Sequence, residues 1–299
     1  MTLIQRARRG RFAAICLGGV AFASCSAGTH AADLGATASA PVAESSVSAD
    51  VDSNSHRYFR VDASFARNGV SGFSQADLEA NGGEFISDSL GTQGSIGLGA
   101  GYRFNSWLRF DVTGEYRIPA SVKATDNLTA EVLTTGDLLQ ANTDYRARLS
   151  SLTGLVNLYV DLPIGGRITP YIGAGIGASR NEVSNLFASG YATLTDPTTG
   201  QVASHTSFAT AGSKANWELA WALMAGFSVD ISDDVKLDAG YRYLDLGSSE
   251  SAMSDLIRCV CGAIGQPLVA EDLHAHEFRI GLRFELGRPT EPARYAPLK

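Results

Sequence analysis

Residues 108–117 read Leu-Arg-Phe-Asp-Val-Thr-Gly-Glu-Tyr-Arg and alternate without a break. Side chains of an extended strand point to opposite faces in turn. Leu108, Phe110, Val112, Gly114 and Tyr116 therefore share one face, and Arg109, Asp111, Thr113, Glu115 and Arg117 share the other. Such a strand divides an apolar environment from a charged one.

The same split recurs in seven more stretches: 57–67, 95–104, 150–162, 167–178, 217–230, 235–244 and 274–286. Short turns join them in pairs at Asn105-Ser106, Pro163-Ile164-Gly165-Gly166 and Ser232-Asp233-Asp234. Between the pairs lie long polar segments, 68–94, 118–149, 179–216 and 245–273, which read as loops. Tight turns on one rim and long loops on the other are the arrangement of a membrane-spanning barrel, and an even strand count leaves both ends on the short-turn rim. The fold expected is all-β, an eight-stranded antiparallel up-and-down transmembrane β-barrel over residues 57–286. No run of 18 apolar residues exists outside the N-terminus, so strands rather than helices must do the crossing.

The two ends read differently. Arg6, Arg8, Arg9 and Arg11 precede an apolar stretch from Phe12 to Ala23, and Thr29-His30-Ala31 offers a cleavage site. Residues 1–31 are expected to be a signal peptide, too short in its apolar part to anchor comfortably. Residues 32–56 read as a flexible lead-in, and 287–299, with Pro289, Pro292 and Pro297, as a C-terminal tail. Loss of the signal takes away four arginines and no acid, moving the net charge from −7 to −11. So acidic a chain excludes nucleic acid as a partner, since phosphates demand a basic surface. Cys16 and Cys25 leave with the signal; Cys259 and Cys261, two apart, read as loop thiols without a zinc-type spacing.

Alternation alone fits a soluble cup with apolar side chains inside as well as a membrane barrel with them outside. The polar set argues for the membrane barrel, because it balances acids against bases and its bases are nearly all arginine, whose planar fork suits paired, desolvated contacts. Aromatics of the apolar set, among them Phe59, Phe65, Tyr102, Phe104, Tyr116, Trp217, Trp221, Tyr243 and Phe284, stand near strand ends, where interfacial girdles belong. The expected interior network comprises Arg60, Asp62, Arg103, Arg109, Asp111, Glu115, Arg117, Asp161, Asp238, Arg242, Glu277, Arg279 and Arg283. A lumen this narrow holds little beyond side chains, so the charges are expected to be structural rather than acid–base catalysts.

Other patterns carry less. The period-two glycines Gly97-x-Gly99-x-Gly101 and Gly173-x-Gly175-x-Gly177 lack the spacing and following helix of a dinucleotide loop, and make room on the inward face instead. His274 and His276 share a face, with Asp272 near, but two ligands do not make a metal site. Ser248, Ser249 and Ser251 fall in a segment read as a mobile loop with no identifiable base. No catalytic residue, cofactor or metal is expected.

The segments GLGAGYRFNSWLRFDVTGEYR, NLYVDLPIGGRITPYIGAGIGAS, WALMAGFSVDISDDVKLDAGYRYLDLG and HEFRIGLRFEL resemble the opacity-type and OmpA-like family of small outer-membrane barrels. The resemblance, covering about residues 57–286, implies a bacterial outer-membrane location, a role in surface structure, adhesion or envelope integrity, and neither cofactor nor catalytic set. The thirteen residues after Leu286 are too few for a folded cell-wall-binding domain. The partners expected are outer-membrane lipids and lipopolysaccharide, the assembly machinery, and an unidentified extracellular ligand met by the loops. A narrow passive porin is the alternative, and a lipid-modifying enzyme, with His274 and His276 as its suggestive residues, the more distant one.

Overall fold

The computed structural model describes residues 56–132, 135–258 and 266–286. The signal-peptide, lead-in and tail segments, and all four cysteines, lie outside these residues. Eight long strands are present: β1 (His56–Gly69), β2 (Thr92–Arg103), β3 (Leu108–Glu131), β4 (Leu138–Asp161), β5 (Ile168–Thr195), β6 (Lys214–Asp230), β7 (Val235–Asp245) and β8 (His274–Leu286). Each pairs antiparallel with its neighbour in sequence, and β8 pairs back onto β1, which closes the sheet into a ring.

The register fixes the shape of that ring. Pairing followed from Tyr58 runs through Gly101, Asp111, Asn157, Gly175, Ala222, Leu244 and Ala275, and returns to β1 at Asn68. The stagger is thus ten residues for eight strands. With a rise of about 3.3 Å per residue and strands about 4.8 Å apart, the strands tilt by about 41° to the barrel axis.

Turn chemistry holds the short rim. Asn105 Oδ1 accepts from the amides of Trp107 and Leu108 at 3.0 and 2.8 Å. Gly165 and Gly166 take φ of 89° and 85°, a region in which a side chain would be strained.

Accessibility divides the faces as the alternation does. Phe278 is 72% exposed and Leu98 65%, while Arg109 and Glu277 are 0% exposed. In water this would be an inverted protein; with lipid as the outer solvent it is the expected one. The outward apolar positions of β4 and the residue just after it run from Leu152 to Leu162, which at this tilt gives a band about 25 Å tall. Aromatic pairs mark both edges: Phe59–Phe284 at 4.8 Å and Phe104–Phe110 at 5.5 Å below, Trp221–Tyr243 at 5.3 Å and Tyr241–Phe278 at 6.1 Å above.

Two of the expected loops are largely strand. In place of a loop over 118–149, β3 and β4 continue as one paired hairpin as far as Glu131 and Leu138. In place of a loop over 179–216, β5 runs on to Thr195 and pairs with a strand at Val202–Ala211. Strands Glu84–Leu90 and Ser254–Arg258 add one edge each, making a six-stranded sheet that projects past the apolar band. The alternation fails there for a local reason: each continuation begins with a β-bulge. The β3–β4 register slips between Arg117 and Ala120, around Pro119, and the β4–β5 register slips opposite Asn185, whose φ is 52°. An extra residue reverses the phase of every side chain beyond it.

Above the lumen a second, three-stranded sheet joins Gly72–Ser74, Ser249–Glu250 and Val269–Glu271, with a one-turn helix, α1 (Ala76–Ala80), beside it. Its Phe73 and Ala270 pack in one apolar cluster with Leu149, Val183, Leu244, Leu246 and Leu273.

Candidate functional site

The inward face of the barrel is a stack of polar layers. Nearest the short-turn rim, Arg103 pairs with Glu285, and Arg283 reaches Asp238 at 3.2 Å and Glu285 at 3.8 Å. Glu285 is thus a seventh carboxylate for seven arginines. The next layer is built on Arg60, which forks onto Asp62 at 2.7 and 2.8 Å and meets Asp111 at 3.2 Å. Arg279 shares Asp62 at 3.2 Å. Arg109 donates its Nε to both oxygens of Asp161 at 3.0 Å, with its guanidinium 4.2 and 4.9 Å from the ring centres of Tyr159 and Tyr171. Its two Nη atoms have no hydrogen-bond partner among protein atoms. The ring faces stand against this cation.

Higher up, Arg242 forks onto Glu115 at 2.6 and 2.7 Å and shares Glu277 with Arg117. All thirteen residues of the expected network therefore face the lumen and every one is in an ion pair.

The expected network named only charged residues, although the alternation puts Tyr159 and Tyr171 on the same inward set. Tyr58, Tyr159 and Tyr171 fill the lower lumen, and Tyr171 lies where a Cβ on Gly226 or Gly240 would stand, so the inward glycines seat its ring. Asn68 and Gln93 both hold Arg117, at 3.0 and 3.1 Å. Gln93 also donates to the carbonyls of Ile118, within the β3 bulge, and of Leu149, on β4 beside it, at 2.8 and 3.2 Å. Both residues lie in a stretch read as loop, although each continues the inward phase of its strand.

Above Arg117 and Arg242 the lumen turns apolar: Ala66, Leu149, Leu244, Leu273 and Ala275 are buried there. Ser249 and Ser251 are buried too, correcting the expected mobile loop. Ser251 and Leu268 exchange two hydrogen bonds at 2.9 Å, and the Ser248 carbonyl accepts from Asn181 and Asn216. His276 bonds the Tyr241 hydroxyl and His274 the Asp272 carbonyl. Among the described residues neither histidine touches a serine or threonine hydroxyl, and no group of three metal-ligating side chains forms.

The projecting sheet has two unlike faces. Its inner face is apolar, with Val122, Ala124, Tyr145, Ala147, Leu186, Ala188 and Ala209 buried. Tyr145 there donates to Asp126 at 2.8 Å, and burial raises the Asp126 carboxyl above the usual carboxylate range. Its outer face is mostly Ser, Thr, Asn, Lys and Arg, with Phe187 and Phe208 stacked at 6.1 Å and Tyr191 52% exposed among them.

A family profile described as the outer membrane protein β-barrel domain matches residues 13–285. An uncharacterized protein of Brucella abortus is 36% identical over 209 residues, which is 66% of this chain and 70% of the relative. A candidate adhesin of Rickettsia typhi is 26% identical over 216 residues, 72% of this chain and 84% of that protein. Among solved structures, the outer membrane protein OprG from Pseudomonas aeruginosa is similar, with 16% identity, a TM-score of 0.41, and coverage of 79% of this chain and 99% of that one.

Proposed function

The chain belongs to the family of outer-membrane protein β-barrel domains and resides in the bacterial outer membrane, and from that premise we propose that it is a non-enzymatic surface-interaction protein whose projecting sheet meets other cells or host surfaces. One observation carries this reading. Crossing takes about 9–11 residues per strand, yet β3 and β4 have 24 each and β5 has 28. The surplus rises past the lipid as an ordered, polar sheet studded with Phe187, Tyr191 and Phe208, the aromatic anchors that dominate protein contacts. The adhesin-like relative agrees with that use.

The filled, charge-matched lumen under an apolar cap speaks against the passive-porin alternative. The test shortens the sheet and spares the barrel, replacing residues 127–142 and 191–206 each with an Asn-Gly turn. Cells displaying this variant should insert it normally but attach to cultured epithelial cells, or to sister cells, several-fold less than wild type. Unchanged attachment at equal surface display would sink the proposal.

A further inference from the structure

Three cations stand together on the outer wall just above the apolar band. Lys123 on β3 is paired directly with Arg146 on β4, and Arg148 follows on the same face, all three exposed. Directly opposed residues have Cβ atoms about 5 Å apart, and like charges so placed destabilise the sheet. One carboxylate on that face, Asp144, accepts from the Thr125 hydroxyl at 2.8 Å, and another, Glu182 on β5, lies opposite Ser150. Among the described residues none of the three cations is in an ion pair, whereas Arg180 on the adjacent strand is held by Glu182 at 2.9 Å. Water screens the repulsion of such an exposed cluster, and no acid of the chain occupies it, so its charge is open to an anion from outside.

The wall beneath supplies a second, independent feature. Gly114 pairs with Gly154, which pairs with Ala178, and where the two glycines would carry a Cβ there is open space. Of these small residues Gly114 lines a groove of about 780 Å³ that climbs from Leu237 past Ile280, Val61 and Leu98 to Tyr116 and Leu152. Its lining is apolar and faces lipid. At its head Leu152 is four residues from Arg148 on the same face of β4, about 13 Å along the strand and about 10 Å up the barrel axis. The headgroup layer begins at that height, and long basic side chains reach back down toward it.

We propose that this wall binds a phosphorylated glycolipid of the outer leaflet, one acyl chain lying in the groove and a phosphate held by Lys123, Arg146 and Arg148. Two arginine forks and a lysine match a phosphate in geometry and charge. The groove fixes which lipid edge faces them, so the site selects a molecule that is both phosphorylated and acylated. It would form whatever the sheet's tip contacts.

The test measures binding to the refolded full chain in detergent by native mass spectrometry, with bisphosphorylated lipid A, its dephosphorylated form, inorganic pyrophosphate and heparin as probes. The wild type should bind the phosphorylated lipid at least tenfold tighter than the dephosphorylated one. The K123S/R146S/R148S variant should lose that preference. Gly114→Leu should weaken both lipids several-fold, and Arg180→Ser should change nothing; retained heat-modifiable migration would show that each variant is folded. Equal binding of the two lipids by wild type would overturn the proposal, as would an equal loss in Arg180→Ser. Pyrophosphate or heparin bound as tightly as the lipid, and indifferent to the groove variant, would assign the cluster to a soluble polyanion and overturn it too.

Discussion

Arginine does opposite work in two regions of this molecule. Inside the barrel seven arginines meet seven carboxylates, and each guanidinium is engaged by at least one acid. On the outer face of the projecting sheet Arg146 and Arg148 stand beside Lys123 with no acid in contact. Surroundings account for the difference. In a dry lumen an unpaired charge is too costly to keep, so each base is accompanied by an acid. In the aqueous headgroup layer solvent screens a like-charge cluster, which leaves it available to an external partner. The lumen is therefore where charge maintains the fold, and the outer wall is where charge is free to recognise something.

The sharpest way to break this contrast is to remove one lumen acid that serves two bases. Glu277→Ala leaves both Arg117 and Arg242 short of an acid. Breaking a buried pair in this way costs about 3–5 kcal/mol, which urea unfolding in bilayers or detergent would read as a large drop in midpoint. Near-wild-type stability would mean that water reaches the network and that the lumen is not the dry compartment described above.

A complementary change puts an unpaired charge on the lipid wall. Leu158 and Ile280 are 51% and 56% exposed in the middle of the apolar band. Leu158→Arg or Ile280→Arg should each cost about 2–4 kcal/mol and reduce the heat-modifiable folded fraction. An arginine already stands at 148, further up the same face of β4, so a cost at 158 alone measures where the lipid ends. Equal yields for wild type and both variants would reverse the assignment of the two faces.

How far the sequence could be read follows from the same contrast. Wherever lipid and lumen face each other across the sheet, strict alternation announces the strand, its faces and the side on which charge is held, as Leu108–Arg117 does; the partners, Asp161 for Arg109 and Arg60 for Asp111, come from other strands. Past Arg117 and Val183 that opposition ends. The bulges reverse the phase, and the outer positions of the projecting sheet, such as Ser121, Thr125 and Asn127, carry the composition of a loop. No local signal distinguishes such a polar strand from a turn-rich segment, because the strand is held by pairing with residues far along the chain. Asn68 and Gln93 were legible in principle, since each extends the inward phase of β1 and β2 by one step. What hid them was their polarity in segments already polar throughout.

Gln93 offers a smaller test. Its side chain joins Arg117 to the two carbonyls at the β3 bulge, so it ties the barrel to the base of the projecting sheet. Gln93→Ala leaves buried groups unsatisfied at a cost of about 1–3 kcal/mol. Hydrogen exchange should show the loosening concentrated in residues 118–149, with β7 and β8 barely affected. A uniform loss across all eight strands would mean that barrel and sheet unfold as one unit.

The smallest effect separates the two regions by pH. Asp126 lies on the inner face of the projecting sheet, where burial raises its carboxyl despite the bonds from Tyr145 and Thr143 that favour the anion. A group that binds its proton more tightly when folded favours the folded sheet below the ordinary carboxylate value. That contribution disappears as pH rises through the raised value. The protection factor of the Thr143 amide, which donates to Asp126 at 2.8 Å, should accordingly grow as pH falls through the carboxylate range. Asp126→Asn should flatten the response while leaving the barrel unchanged. A Thr143 protection factor that stayed flat or fell as pH dropped would mean that Asp126 does not couple the sheet to pH, and an identical rise in the amides of β8 would mean that the response is not confined to the sheet.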